Sequence, residues 1–177
     1  TVVVVVDGMT QENLATLRPF WQAGGLRIMS EEAHQTVATF PHQVYGGQET
    51  MATLMTGTTP NHHSIMADTY FERADRKPLS ILLDNQATGI GYDTPFSPRT
   101  LLSTTITDEW RMRHGSTAQI YAVGLQPQAT ILMAGHAANA CCWLNADTRK
   151  WATTSFYPEG LPAAADEMNV NGRIETL

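Results

Sequence analysis

Residues 1–9, TVVVVVDGM, decide the fold class. The β-branched run at 2–6 predicts a central parallel strand buried on both faces, because such strands carry continuous rather than alternating apolar side chains. Asp7 and Gly8 end the run, so Asp7 is expected at the carboxyl end of the strand, where open α/β sheets bind their ligands. An aspartate there is a frequent metal ligand, although Asp-Gly is also an ordinary turn sequence.

Outward from this strand, helix and strand patterns alternate along the chain, with apolar spacing and Gly or Pro stops marking the elements. Helices are predicted at 11–21, 26–33, 48–56, 97–114 and 162–168, and strands at 36–40, 68–71, 81–83, 119–123, 140–144 and 151–155. We therefore predict an α/β fold with a mostly parallel sheet flanked by helices, and a short β-hairpin near the C-terminus. Residues 1–168 are assigned to this domain and the polar residues 169–177 to a tail.

Bulk composition excludes several classes of function. The chain has 177 residues, a net charge of −6 and no long apolar run. A nucleic-acid or anionic-lipid partner needs a basic face, so neither is expected, and nothing in the sequence predicts membrane insertion. No basic leader with an apolar core precedes the first strand, so no signal peptide is predicted. The partner of the protein is not readable from the sequence.

Cysteine and histidine residues favour structural roles. Cys141 and Cys142 are adjacent, which disfavours a mutual disulfide and predicts two small buried side chains. His62 and His63 follow Pro60 and invite a metal-site interpretation, but neighbouring histidines rarely chelate one ion and no second ligand cluster accompanies them. His136 is expected to be a hydrogen-bonded structural histidine rather than a catalyst.

Gly46 and Gly47 precede a predicted helix, whose N-terminus offers unpaired N–H groups and partial positive charge to an anion. No Lys-Ser or Lys-Thr pair follows these glycines, so they do not form a nucleotide-binding P-loop. Taken alone, the pair is more typical of a structural turn than of an anion site.

Five segments, taken in order, resemble the N-terminal part of the alkaline phosphatase superfamily, and within it the type I phosphodiesterase/nucleotide pyrophosphatase-like branch. They are VVVVVDGM at 2–9, TGTTP at 56–60 with His63, SPRTLL at 97–102 with 104–109, ILMAGHAAN at 131–139, and WATTSFY at 151–157. The resemblance covers nearly the whole chain but only the front part of the family's length. In that family two metal ions, usually zinc, flank a Thr or Ser nucleophile at a helix N-terminus.

The resemblance implies a role for five positions. Asp7 corresponds to the metal ligand after the first strand, and the nucleophile position falls on Gly47. The phosphate-binding Asn position falls on Asp68, and the Lys-x-Arg pair of the monoesterase branch falls on Gln126 and Gln128. Zinc is expected from the resemblance only, and no cofactor is expected in this chain by itself. A secreted or periplasmic location is likewise implied only by the resemblance.

These substitutions predict an alkaline phosphatase-like domain without phosphoryl-transfer activity. Gly47 has no side chain to attack phosphorus, Asp68 repels a phosphoryl group, and the loss of two cations removes stabilisation of the transition state. Thr50 or Thr53 would serve as nucleophile only with a rearranged loop. The alternative is a metal-dependent phosphatase or phosphodiesterase-type hydrolase with a remodelled site, completed by residues outside this chain.

Overall fold

Two short helices make up the first of two units in the chain. A computed structural model describes residues 1–44, 46–172 and 174, and divides the chain into Thr1–Phe40 and Pro41–Leu177. Helix α1, Gln11–Leu17, begins after Thr10, whose hydroxyl accepts a hydrogen bond from Asn13 N at 3.1 Å. A 3₁₀ turn, Arg18–Phe20, and helix α2, Leu26–Glu32, follow. Both helices predicted in this unit are confirmed, with Pro19 ending the α-helical part of the first.

The strands predicted at 2–6 and 36–40 are wrong in this structure. No residue of the first unit, all of which the structure describes, belongs to a strand. The valine run is solvent-exposed instead, with Val2 at 86 % and Val4 at 68 % exposure. β-Branched side chains favour extended backbone locally, but a strand also needs a hydrogen-bonded neighbour, and this unit supplies none.

In the second unit, helix α3, Gly47–Thr56, starts one residue before its predicted position. Gly57 ends it with a left-handed φ of 67°, and its N–H bonds to the Thr53 carbonyl at 2.9 Å. Such a conformation strains residues other than glycine, which explains why the helix stops there. The single-turn helix α4, Pro60–His63, follows.

Six strands form among the described residues of this unit. Strands β1, Thr69–Glu72, and β2, Lys77–Ser80, make a separate antiparallel hairpin. The remaining four lie in the order β3-β6-β5-β4, where β3 is Gly89–Ile90, β4 Tyr121–Gly124, β5 Ala140–Asn145 and β6 Lys150–Thr154. The pair β4–β5 is parallel, whereas β5–β6 and β3–β6 are antiparallel. The α/β class and the late hairpin are confirmed, but the sheet is mixed, so its parallel character is confirmed only in part.

Two predicted elements of this unit are wrong in position. Residues 81–83 form no strand, although Leu83 makes an isolated bridge to Phe96. The helix predicted from Ser97 is instead α5, Ile106–His114, followed by a 3₁₀ turn, Gly115–Thr117. The Ser97 hydroxyl, expected to cap a helix, donates to Asp84 Oδ2 at 2.6 Å. Thr105 and Asp108 form a reciprocal capping box at the actual start, which fixes the helix there.

The core lies where α3 and the helix α6, Pro127–Ala134, pack together and α6 covers β4 and β5. Its fully buried members include Ala52, Ile131, Leu132 and Trp143. Helix α7, Ala163–Val170, packs on β6 and extends the predicted C-terminal helix by two residues. None of the helices in the described ranges has the length and apolar character needed to cross a bilayer.

Candidate functional site

The N-terminus of α3 brings together two of the predicted site residues. Gly47 is the first residue of the helix, and the Asp68 carboxylate lies beside the next one, with Oδ1 accepting a hydrogen bond from Gln48 N at 2.9 Å. The carboxylate approaches so closely that a Cβ atom on Gly46 would lie 2.6 Å from Asp68 Oδ1. An anionic group of the chain itself therefore lies at the helix end that favours anions.

Gly47 is not constrained to be glycine by its surroundings. A Cβ atom built at this position meets no heavy atom within 4 Å, and the residue does not have a left-handed φ. The surroundings would therefore accept a Cβ atom at this position. The absence of a nucleophilic side chain at this position is a property of the sequence and is not required by the backbone.

The two alternative nucleophiles are committed to other contacts. The Thr50 hydroxyl donates to the Gly46 carbonyl at 2.8 Å, within the helix. The Thr53 hydroxyl is buried and lies 3.0 Å from His63 Nε2. Thr50 is the fourth and Thr53 the seventh residue of α3, so neither occupies the first helical position.

Gln126 and Gln128 flank the start of α6, which packs against α3. Gln126 precedes the helix, and its carbonyl accepts from Thr130 N at 3.0 Å and from Thr130 Oγ1 at 2.6 Å. Its side chain is exposed, and that of Gln128 is half-buried. Both side chains are uncharged amides, so this helix end presents no cation at the two family positions.

Asp7 belongs to the first unit and is exposed in a turn. It lines an open groove of about 370 Å³ together with residues such as Glu12, Asn13 and Thr16. In the described residues 1–44, 46–172 and 174, no three Asp, Glu, His or Cys side chains come together in a group that could hold a metal ion. These residues alone do not fit a resident zinc ion.

His63 is a core histidine, as the structural interpretation predicted. It is fully buried, and its Nδ1 accepts from Ile65 N at 3.1 Å, so its proton lies on Nε2 and is donated to Thr53 Oγ1. Burial, with a smaller contribution from the nearby His42, lowers the pKa of His63 below 6.5, against an opposing effect of Glu49. His62 is exposed, so the two adjacent histidines do not share a site.

Asp108 and His136 form a hydrogen-bonded ionisable pair in the second unit. Asp108 Oδ1 accepts from His136 N at 2.7 Å and Ala137 N at 2.8 Å, while Oδ2 accepts from Thr105 N at 2.9 Å and lies 2.9 Å from His136 Nδ1. Burial alone raises the pKa of Asp108, but the hydrogen bonds from His136, Thr105 and Ala137 outweigh it and lower the pKa to about 2. His136 is hydrogen-bonded, as predicted, and its structural rather than catalytic role stays a prediction.

The two cysteines are unpaired and buried, as predicted. Burial raises the pKa of the Cys142 thiol to about 11 and raises that of Cys141 as well. Because the thiolate is the reactive form, neither side chain is suited to act as a nucleophile at neutral pH.

Comparison with known proteins shows which family the chain matches. Residues 1–176 match the family model described as type I phosphodiesterase / nucleotide pyrophosphatase. The chain belongs to this family. The match to the phosphodiesterase family confirms the resemblance to the alkaline phosphatase superfamily that the sequence segments predicted.

Two relatives of this phosphodiesterase-family chain are named alkaline phosphatases. Alkaline phosphatase PafA of Elizabethkingia meningoseptica is 28 % identical over 120 residues, which cover 66 % of this chain and 22 % of the relative. Alkaline phosphatase PhoV of Synechococcus elongatus is 24 % identical over 170 residues, covering 94 % and 31 %. The crystal structure of wild-type PafA superposes with a TM-score of 0.64 at 26 % identity, over 71 % of this chain and 25 % of that one. The chain therefore spans less than a third of the length of the relatives it matches.

Sequence reasoning located the α3 N-terminus but missed the contacts that organise it. No local pattern reports that Asp68, twenty residues from Gln48, reaches its backbone N–H. The Asp108 cluster did carry a signal, because Thr105 followed three residues later by Asp108 has the spacing of a capping box. Helix α6 was also missed, although Pro127 at its first position is a common start signal.

Proposed function

We propose that this chain is an alkaline phosphatase-like domain that does not catalyse phosphoryl transfer. The observation that carries the proposal is Gly47 at the start of α3, the helix end where the family has its nucleophile. Covalent phosphoryl transfer needs an oxygen that attacks phosphorus, and glycine has none. Family membership supports the fold and the ancestry, and the proposal concerns the activity.

The Asp68 contact gives the second argument. A substrate phosphoryl group would need the Gln48 N–H and its neighbours, but the Asp68 carboxylate already accepts that hydrogen bond at 2.9 Å. A phosphate dianion at the same place would lie beside a group of like charge, which disfavours binding. An asparagine at this position would instead offer N–H donors to the anion.

The uncharged pair Gln126 and Gln128 gives the third argument. Charge builds up on the transferring phosphoryl group, and fixed cations stabilise it in enzymes of this chemistry. Glutamine amides keep hydrogen-bonding capacity but supply no net charge. Loss of the cations alone slows such reactions by orders of magnitude, so a single reversion at position 47 is not expected to restore full activity.

The family also supports an alternative function, a metal-dependent phosphatase or phosphodiesterase-type hydrolase. In that case a metal-activated water would replace the side-chain nucleophile, and Asp7 would be one of several ligands. The other ligands would come from outside this chain. A secreted or periplasmic location is part of the same family-based expectation and is proposed with it.

Turnover and metal content distinguish the two functions when they are measured on a form of the protein that also includes any sequence following Leu177, because the alternative takes its other ligands from outside this chain. We expect the purified protein, incubated with zinc, to bind less than one equivalent by metal analysis and to hydrolyse neither p-nitrophenyl phosphate nor bis-p-nitrophenyl phosphate. Stoichiometric zinc together with turnover that disappears in Asp7→Asn would establish the hydrolase instead.

A matched pair of variants at position 47 tests the nucleophile argument. Gly47→Thr supplies a hydroxyl, and Gly47→Val supplies a side chain of similar shape without one. The Cβ atom of either variant would meet no heavy atom within 4 Å. If the hydroxyl is the nucleophile, turnover should appear in Gly47→Thr and in the double variant Gly47→Thr/Asp68→Asn. Gly47→Val should show none. Measurable turnover of equal rate in Gly47→Thr and Gly47→Val would contradict the role assigned to the hydroxyl.

A further inference from the structure

Residues 91–105, between β3 and α5, form no helix and no regular strand, so their buried backbone groups need other hydrogen-bond partners. Leu101 is 2 % exposed, and its carbonyl lies 2.9 Å from His136 Nε2. The next residue, Leu102, donates its N–H to the His63 carbonyl at 3.1 Å. The imidazole ring of His136 is therefore the partner of a buried carbonyl in a segment that also contacts α4.

The two nitrogens of the His136 ring both face acceptors. Nε2 faces the Leu101 carbonyl, and Nδ1 lies 2.9 Å from the Asp108 carboxylate. Neither oxygen can donate, so both ring nitrogens must carry a proton to make the two bonds. Each neutral tautomer would leave one lone pair facing an oxygen, and the imidazolium form alone satisfies both contacts.

We propose that His136 is a pH-sensitive brace that, as an imidazolium ion, ties the Leu101 segment to α5 and to the loop between α6 and β5. Loss of one ring proton breaks one of the two bonds. Because Asp108 is buried, charged and held by three backbone N–H groups, the ring keeps its proton on Nδ1, and the Leu101 carbonyl loses its partner. The segment then loosens at Leu101 and Leu102.

The groups around the His136 ring favour its protonated form. The hydrogen bond to Asp108 raises the pKa of His136 above 6.5 against the opposing effect of burial, and the Asp108 charge and the Leu101 and Pro98 carbonyls add to the increase. The brace is therefore intact below pH 6.5 and is lost as the pH rises through the raised value.

Other ionisable groups near the ring have separate partners. Arg111 of α5 donates to the Ala137 carbonyl at 3.0 Å and the Ala118 carbonyl at 2.6 Å. Arg99 of the tied segment pairs with Asp84 at 2.8 Å. The Tyr157 hydroxyl, whose pKa burial raises well above 10, donates to the Gly135 carbonyl at 2.9 Å. Asp108 is thus the charged group in direct contact with the ring.

Ring protonation and amide protection can be measured on the same ¹⁵N-labelled protein. We expect long-range ¹H–¹⁵N spectra to show both His136 nitrogens protonated at pH 6, with one proton lost above pH 6.5. Over the same interval the exchange protection factor of the Leu102 amide, corrected for intrinsic rates, should fall about tenfold, as for an orphaned buried acceptor. A singly protonated ring at pH 6, or constant protection across the titration, would overturn the proposal.

Two histidine variants make the assignment specific. His136→Gln removes the titrating group and should abolish the pH dependence of Leu102 protection. His62→Gln replaces an exposed histidine on α4 and should leave it unchanged. Persistence of the wild-type pH dependence in His136→Gln would also refute the brace. If that variant does not fold, the wild-type titration remains a decisive test.

Discussion

Replacing Asp108 with asparagine removes the carboxylate from the Asp108–His136 ion pair. The carboxylate accepts hydrogen bonds from three backbone N–H groups and from the His136 ring, and its pKa is about 2 compared with 3.8 unperturbed. Lowering the pKa of Asp108 from 3.8 to about 2 corresponds to about 2–3 kcal/mol of folding free energy at neutral pH. Asparagine keeps one acceptor oxygen and turns its NH₂ group toward donors, so we expect Asp108→Asn to lose about this amount.

The pH profile gives the sign of the effect. Because the folded-state pKa is lowered, the stabilisation is present above pH 3.8 and is lost as the pH falls through about 2. Urea unfolding followed by tryptophan fluorescence at several pH values measures it, since Trp143 is fully buried in the same unit. Asp108→Asn should have a flatter acid limb than the wild type.

Asp147→Asn is the matched control, because Asp147 is exposed in the turn between β5 and β6. Its unfolding free energy should stay within about 0.5 kcal/mol of the wild type. If Asp108→Asn is no less stable than Asp147→Asn at pH 7, or if it keeps the wild-type acid limb, the hydrogen-bonded charge is not what stabilises this region.

Two further substitutions, measured by urea unfolding, test the close packing at Gly89 and the hydrogen bonds between the Asn169 side chain and the backbone of β6. Gly89→Ala should lower the free energy of unfolding by at least about 1–3 kcal/mol, because its Cβ atom would lie 1.9 Å from the Tyr92 carbonyl oxygen. Gly47→Ala is the control and should be tolerated, because its Cβ atom would meet no heavy atom within 4 Å. Equal stability of the two variants would contradict the close approach at Gly89. Asn169→Ala should cost about 1–2 kcal/mol, since its amide bonds to Trp151 N at 2.7 Å and Trp151 O at 2.9 Å. Asn171→Ala is the control, and a similar loss in both would point to a general effect on α7.

Helices with strong local signals could be predicted from the sequence. The apolar spacing of Met51, Leu54 and Met55 and the stop at Gly57 gave α3 to within one residue. The hairpin β5–β6 was predictable for the same reason, because two apolar runs flank a polar turn. In these cases the information lies within about ten residues of chain.

Elements that depend on distant partners were not predictable in this way. The valine run at 2–6 has the composition of a buried strand, but strand formation depends on neighbours that composition does not encode. The start of α5 was misplaced because Ser97-Pro98 looks like a helix start locally, while the Ser97 hydroxyl is bonded to Asp84, thirteen residues away. The capping box at Thr105 then fixes the start further along the chain.

In the candidate site, too, positions could be predicted from the sequence, whereas contacts between distant residues could not. Family resemblance assigned roles to Gly47, Asp68, Gln126 and Gln128 by position, and the first two do lie together at one helix end. Their hydrogen bonds depend on tertiary geometry, and so do those of Asp108 and His136. The functional consequence of the substitutions stays a prediction until turnover is measured.

The Asp68 contact also bears on how this chain can change over generations. The carboxylate accepts a hydrogen bond from an N–H group that the first turn of α3 leaves without an intrahelical partner. Asp68→Asn would weaken this bond before any anion is bound, because the asparagine oxygen can still accept it but carries no charge. A threonine arising at position 47 would in turn lie next to a negative charge that repels its substrate. If the domain lacks phosphoryl-transfer activity as we propose, a change at position 47 or at position 68 alone would therefore bring little gain in phosphate binding, and the Asp68 contact would favour keeping the present pair of residues.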